Sequence, residues 1–303
     1  MALRSEYQPV AAAILELDRA RVLVPIIRGQ AAAPLLSLGD TIARRSSTQG
    51  VVLGLVEIPA SPRWLQMAVA NRSRELLRWI AATDYERYSV EGGRLTVQTR
   101  IAADVARSIR EATLETESNI VLLEWPWYKS PRRYRLEAVL RNLATDPPAN
   151  LVIARPDPNR NGRLAPRSVL VPLRGGSNAR LALSVAAGLA SQADARLTLM
   201  HVYDSSHHPD RIQREAVVFH ELIQAVASLD PVVLEVIAPQ PTEVLLRAGS
   251  EYDAVVMGAH ADPGRTGMLV GSALESVVNG LPKTVILARS TDPETARREF
   301  NAD

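Results

Sequence analysis

Short, continuous apolar runs alternate along the chain with longer stretches whose apolar residues recur at helical spacing. Residues 22–25 and 169–172 both read VLVP, whereas residues 178–192 (NARLALSVAAGLASQ) place leucine, valine and alanine on one helical face. Continuous apolar runs are typical of parallel strands buried on both faces, and helical periodicity indicates the surface helices that cover them. The pattern therefore predicts an α/β protein.

The second half of the chain contains nine such elements in strict alternation. The predicted strands are residues 168–173, 196–202, 232–237, 253–259 and 284–289, and the predicted helices between them are residues 178–192, 209–229, 241–248 and 273–278. The order βαβαβαβαβ implies a doubly wound parallel sheet with helices on both faces.

The first half repeats this order. Its predicted strands are residues 22–25, 51–57, 95–99, 119–125 and 150–155, and its helices include residues 31–44, 64–82 and 101–116, with additional chain at residues 82–94. Glu124 and Arg155 are 31 positions apart, as are Gly258 and Arg289. Equal spacing between different residues indicates duplication of one fold.

Composition narrows the function classes. The 303 residues carry a net charge of +2, with acidic residues interleaved among the arginines, and there is no cysteine. These features exclude disulfides and thiolate chemistry and give no basic track for nucleic acid. No apolar run reaches the length of a membrane span, so we expect a cytoplasmic protein.

Residues 168–204 (SVLVPLRGGSNARLALSVAAGLASQADARLTLMHVYD) and 253–289 (DAVVMGAHADPGRTGMLVGSALESVVNGLPKTVILAR) resemble a universal stress protein domain, and the first half resembles a diverged copy. The resemblance implies two doubly wound five-stranded sheets of order 3-2-1-4-5 in tandem, with ligands bound beyond the carboxyl ends of the strands. It also implies an internal pseudo-dimer in which the fifth strands, LVIAR and VILAR, make the contact. The expected parts are an extension (1–19), a degenerate domain (20–155), a linker (156–166), a second domain (167–290) and a tail (291–303).

The second domain carries a degenerate form of the family's ATP site. The family pattern Gly-x2-Gly-x9-Gly-Ser/Thr falls on Gly258, Ala261, Gly271 and Ser272, so three of its four positions match. Where the family has Pro-x-Asp-Gly after the first strand, this chain reads Pro172, Leu173, Arg174 and Gly175, and Val202 at the end of the second strand completes the candidate set. An arginine cannot accept hydrogen bonds from a nucleoside, although it can pair with an anion. ATP or another adenine nucleotide is the candidate ligand; the alternative is a loop retained for packing.

The same spacing in the first domain places Glu124, Trp127, Glu137 and Ala138 at the motif positions. Carboxylates repel a triphosphate and an indole fills its space, so we expect this site to be lost. The neighbouring segment 125–135 interleaves tryptophan and tyrosine with lysine and arginine. It is interpreted as a loop whose tryptophans cover the sheet, with protein contact or membrane proximity as the alternatives.

No catalytic constellation and no metal site is predicted. His207 and His208 stand beside Asp210, but adjacent helical side chains point apart, and His260 has no nucleophile or base that can be placed around it. The sequence thus indicates a non-enzymatic regulatory or stress-response module. Two alternatives stay open: the cytoplasmic regulatory domain of a membrane transporter, which would be its partner, and an ATP-binding stress sensor.

Overall fold

Ten strands form one continuous sheet in the computed structural model of this chain. The structure describes residues 19–27, 32–57, 71, 74–75, 94–125, 133–157, 164–259 and 272–291. The strands are β1 (Val22–Ile26), β2 (Gly50–Glu57), β3 (Leu95–Ala102), β4 (Ile120–Glu124), β5 (Asn150–Arg155), β6 (Ser168–Pro172), β7 (Arg196–Asp204), β8 (Val232–Ala238), β9 (Ala254–Gly258) and β10 (Thr284–Arg289). The helices are α1 (Ala32–Arg45), α2 (Val105–Glu115), α3 (Arg133–Thr145), α4 (Gly176–Ala193), α5 (Pro209–Ala225), α6 (Pro241–Gly249) and α7 (Ser272–Gly280), with a short 3-10 helix at Ala227–Leu229.

The strand order is β3-β2-β1-β4-β5-β10-β9-β6-β7-β8. Within each half the order is 3-2-1-4-5, and every pairing is parallel. The predicted fold class is therefore confirmed. The two five-stranded sheets are joined into a single sheet because the fifth strands pair with each other. The boundaries given above for two domains stay a prediction.

Helices cover both faces of the sheet, which explains why its strands are continuous apolar runs. One buried cluster contains side chains from α1, α4 and α5, and the other contains side chains from α2, α3, α6 and α7. All five residues of β1 and of β9 are buried. A strand covered by helices on both faces does not alternate between apolar and polar residues. A continuous apolar run in the sequence therefore indicates such a strand.

Two predicted helix boundaries are wrong. The helix expected at residues 209–229 ends at Ala225 and is followed by a 3-10 helix at Ala227–Leu229. The helix expected at residues 101–116 begins only at Val105, because β3 continues to Ala102 and pairs with β2 along its whole length. The Asp104 side chain accepts a hydrogen bond from the backbone N of Arg107 at 3.0 Å and so caps α2. An aspartate cap satisfies an amide that the first turn leaves unpaired, and this sets the start of the helix. The helix predicted at residues 64–82 falls largely outside the described residues.

The two halves meet where β5 pairs antiparallel with β10, from Arg155 opposite Val285 to Leu151 opposite Arg289. The predicted contact between LVIAR and VILAR is thus confirmed. A polar contact reinforces this junction, where the backbone N of Asp157 donates to Thr284 Oγ1 at 3.1 Å. Helices α1 and α4 also pack against each other on one face of the sheet.

Arg155 is a buried cation at this junction, with 5% of its surface exposed. Its Nη2 donates to the carbonyl oxygens of Leu281 and Lys283, the latter at 2.8 Å. Burial lowers the pKa of Arg155 to about 10, and the charge of Asp157 opposes that shift. The guanidinium consequently stays charged at neutral pH and ties β5 to the turn that precedes β10.

We expect Arg155→Ala to lower the free energy of unfolding by about 2–4 kcal/mol, because two buried carbonyls lose their charged donor. Urea unfolding followed by circular dichroism measures the loss. Arg107→Ala is the matched control: its side chain is 77% exposed and pairs with Glu111 on the same helix, so the change should stay within about 0.5 kcal/mol. Equal effects of the two substitutions would contradict the anchoring role of Arg155.

Candidate functional site

The candidate site lies beyond the carboxyl ends of the strands in the second half, at the point where the strand order reverses. Strand β6 lies between β7 and β9, so the loops that follow β6 and β9 leave the sheet side by side. In an open α/β sheet such a reversal creates a crevice beyond the strand ends. Of the predicted positions that the structure describes, Pro172 ends β6, Leu173, Arg174 and Gly175 connect it to α4, Gly258 ends β9, and Ser272 begins α7.

The loop after β6 has a fixed backbone. Leu173 is buried, its N donates to the Met200 carbonyl at 2.8 Å, and its own carbonyl lies 2.6 Å from His201 Nδ1. Gly175 has φ 104°, and a Cβ there would lie 2.9 Å from Val218 Cγ1. Positive φ and the close approach of α5 both require glycine at this position. Arg174, between these two points, is exposed.

Gly258 ends β9 against the first turn of α4. A Cβ added to it would lie 3.0 Å from the backbone C of Asn178 and 3.1 Å from the N of Ala179. Helix packing therefore accounts for this glycine without any ligand. Of the remaining motif positions, Ala261 and Gly271 fall outside the described residues, and Ser272 is the first residue of α7.

Asn178 joins the two sides of the crevice, and sequence reasoning missed it. Its side chain is buried; Nδ2 donates to the Ala259 carbonyl at 2.8 Å, and Oδ1 accepts from the Ser290 backbone N at 2.8 Å. It thereby holds the start of the loop after β9 and the end of β10 against α4. The only sequence signal is one amide in the first turn of an otherwise apolar helix.

A polar cluster lies behind the loop after β6. His201 is 1% exposed and packs its ring against Tyr203 at 4.2 Å and Phe219 at 5.3 Å between centroids. Because the Leu173 carbonyl can only accept, His201 Nδ1 carries the hydrogen of that bond. His201 Nε2 lies 3.5 Å from a carboxylate oxygen of Glu215 on α5. This histidine supports the loop from below and is shielded from solvent, unlike an exposed catalytic base.

Two side chains at the end of β7 have shifted pKa values. Burial raises the pKa of Tyr203 above its usual range, and the hydrogen bond from its hydroxyl to Glu235 at 2.6 Å adds to the shift. Asp204 has a lowered pKa, chiefly because Ser206 donates to it from its hydroxyl and its backbone N, with smaller contributions from the charges of His207 and Arg174. A carboxylate therefore stays ionised near Arg174 and offsets part of its attraction for anions. Val202, which directly precedes Tyr203, is half-buried.

The first half has a structurally equivalent but chemically different edge. Trp125 N donates to the Ala154 carbonyl at 2.8 Å, just as Ala259 N donates to the Ala288 carbonyl at 2.7 Å, so Glu124 occupies the place of Gly258. Trp125 is buried in an apolar cluster, consistent with the packing interpretation of this segment. Trp127 falls outside the described residues.

The other two first-half positions lie on α3. Glu137 pairs with Arg141 at 2.8 Å, and Ala138 is exposed. Helix α3 begins at Arg133, five positions before Ala138, whereas α7 begins at Ser272 itself. Ala138 therefore lies inside a helix rather than at a free N-terminus, where backbone amides could donate to an anion.

His207 and His208 directly precede α5, and His208 is its N-cap residue. His208 is exposed and its Nδ1 accepts from the Asp210 backbone N at 3.4 Å, while His207 Nδ1 lies 3.6 Å from Glu215. Among the residues that the structure describes, no group of three or more histidine, aspartate or glutamate side chains is placed to hold a metal ion. Within the same ranges, no helix combines the length and apolar character needed to cross a bilayer. His260 falls outside them.

We compared the chain with protein-family models, curated proteins and solved structures. Residues 166–289 match the model of the universal stress protein family. No curated protein matches the chain. A universal stress protein from Archaeoglobus fulgidus is similar in structure over 91% of this chain and 98% of its own, with a TM-score of 0.63 and 17% identity. A putative universal stress protein from Pseudomonas aeruginosa is similar over 95% and 100%, with a TM-score of 0.56 and 16% identity.

The cytoplasmic domain of a prokaryotic cation chloride cotransporter is also similar, over 93% of this chain and 99% of that one, with a TM-score of 0.58 and 15% identity. At these identities the likeness concerns the fold, and it extends over both halves. The resemblance to the universal stress protein family is thus confirmed: residues 166–289 match its model, and 91–95% of the chain is similar in fold to the solved structures.

The packing role of Gly258 predicts opposite effects for two glycine substitutions. Gly258→Ala should lower the free energy of unfolding by about 1–3 kcal/mol, because the new methyl group meets backbone atoms of α4. Gly188→Ala, inside α4, meets nothing closer than Arg45 Cγ at 3.8 Å and should raise stability by up to about 1 kcal/mol. Denaturant unfolding of both variants without ligand tests the pair. A neutral Gly258→Ala would mean that packing does not require this glycine.

Proposed function

We propose that this chain is a non-enzymatic regulatory module built from tandem universal stress protein domains, with at most one nucleotide site, in the second half. The observation that carries the proposal is the chemical difference between the two equivalent sheet edges. The second has Gly258 and Ala259 beside the start of α4, whereas the first has Glu124 and Trp125 at the equivalent places. A cytoplasmic location is part of the proposal.

Charge at the second edge favours phosphate over nucleoside recognition. Arg174 is exposed beside the N-terminus of α4, where backbone amides and the helix dipole attract anions. Its guanidinium cannot accept the hydrogen bonds that ribose and adenine donate, and the ionised Asp204 nearby weakens the positive field. Nucleotide affinity should therefore be low in the natural chain.

Calorimetric titration with Mg-ATP tests this proposal. We expect weak binding by the natural chain, and binding at least about tenfold tighter in Arg174→Asp, which supplies a carboxylate acceptor. Arg180→Asp makes the same charge change further along α4 and should leave affinity unchanged. Gly271→Glu added to Arg174→Asp should abolish the gain, because it places a carboxylate in the candidate phosphate loop.

Two results would contradict the proposal. ATP turnover by the natural chain that is lost in Gly271→Glu would make the protein an enzyme. Tight ATP binding by the natural chain that Arg174→Asp weakens would favour the second candidate, an ATP-binding stress sensor in which Arg174 contacts the phosphates.

A third candidate is the regulatory domain of a membrane transporter. It is favoured by the similarity, over nearly the full length of both chains, to the cytoplasmic domain of a cation chloride cotransporter. Membrane-spanning segments encoded in the same reading frame would support it, as would co-purification of the chain with a transporter from solubilised membranes. If neither result is obtained, the chain acts as an independent regulatory module rather than as part of a transporter.

A further inference from the structure

The exposed apolar side chains of the described residues concentrate at the two free edges of the sheet. Five of the seven large ones lie on β8 and the adjacent helix α5, and the other two lie on β3 and α2. The first group is Val217, Val218, Val232, Val233 and Ile237; the second is Ile101 and Leu114. The strands that carry exposed large apolar side chains, β3 and β8, are the outermost strands of the described sheet.

The β8 edge has few of the features that keep an edge strand from pairing. It reads VVLEVIA, with no lysine, arginine or proline, and among the described strands it hydrogen-bonds to β7 alone. Its one charged residue, Glu235, already accepts a hydrogen bond from the Tyr203 hydroxyl. Val233 is 39% exposed and Ile237 is 68% exposed, on the face that α5 leaves partly uncovered. An open apolar strand of this kind presents unpaired backbone donors and acceptors to any second strand.

The β3 edge provides an internal comparison. Its residues Thr96, Gln98 and Thr99 are exposed and polar. Arg100 on the same strand pairs with two carboxylates of α2, Glu115 and, at 3.6 Å, Glu111. Charged and polar side chains along an edge disfavour pairing with another strand. The two edges of one sheet therefore differ in chemistry, and only the β8 edge is suited to burial.

The most suitable occupant of the β8 edge is the β8 strand of a second copy. In an antiparallel pair centred on Leu234, Glu235 faces Val233 of the other copy, so two carboxylates do not oppose each other. The chain already joins its own halves in this way, through the antiparallel pairing of the apolar strands β5 and β10. A net charge of +2 gives little repulsion between copies. A two-fold contact also closes on itself, as most soluble assemblies do.

We propose that two copies of this chain associate through antiparallel pairing of their β8 strands, centred on Leu234, which continues the sheet across the dimer. This pairing places Val233 opposite Glu235, and Ile237 opposite Pro231, of the other copy. The proposal is independent of nucleotide binding, since it rests on the outer edge of the sheet rather than on the crevice.

Sedimentation velocity of the full-length chain over a dilution series tests this interface. We expect a dimer of the 33.0 kDa chain that dissociates on dilution. Ile237→Lys should raise the dissociation constant by about tenfold or more, because two charges would be buried without partners. Val233→Glu should do the same, because its carboxylate would face Glu235 of the other copy. Ile101→Lys, which changes the same residue type on β3, is the matched control and should leave the dissociation constant unchanged.

Far-ultraviolet circular dichroism of each variant shows that a loss of association does not come from unfolding. The proposal is overturned if the natural chain stays monomeric throughout the series, or if Ile101→Lys weakens association as much as Ile237→Lys. Growth into open-ended assemblies would also overturn it, because that outcome requires unlike edges to pair.

Discussion

The antiparallel pairing of β5 with β10 is the constraint on which the rest of the structure depends. Every other pairing in the sheet is parallel, so this single reversal makes the strands of the two halves run in opposite directions. The carboxyl ends of the strands in one half therefore point in the opposite direction to those in the other half, within one continuous sheet. The crevice beside β6 and its counterpart beside β1 cannot merge into one site, and each half must supply its own ligand contacts. The buried guanidinium of Arg155 secures this reversal through carbonyls that precede β10.

The same pairing determines what is left exposed. Joining the fifth strands removes two edges from solvent, but the third strand of each half stays outermost. The two remaining edges have diverged: β3 carries threonine, glutamine and a paired arginine, while β8 carries valine and isoleucine. The two halves thus share one framework but differ in chemistry at their outer edges and at the crevices beyond their strands.

The central strands, such as β1 and β9, could be predicted from the sequence because burial on both faces leaves a continuous apolar run that needs no knowledge of neighbours. The start of α2 could not, since residues near Ile101 fit both a strand and a helix until the Asp104 cap is recognised. Asn178 was beyond sequence reasoning for another reason: its partners, Ala259 and Ser290, are 81 and 112 residues away along the chain. A side chain that joins distant loops leaves no local pattern.

The crevice shows why a glycine motif alone is weak evidence for a phosphate site. Gly258 is required by its contact with α4, and Gly175 by its positive φ and its contact with Val218. Both would persist in a chain that had lost its ligand, because a Cβ at either place strains the fold itself. The charge that the crevice presents is not required by packing: Arg174 is exposed, and Asp204 is stabilised by Ser206. The functional information in this site therefore lies in its charged residues rather than in its glycines.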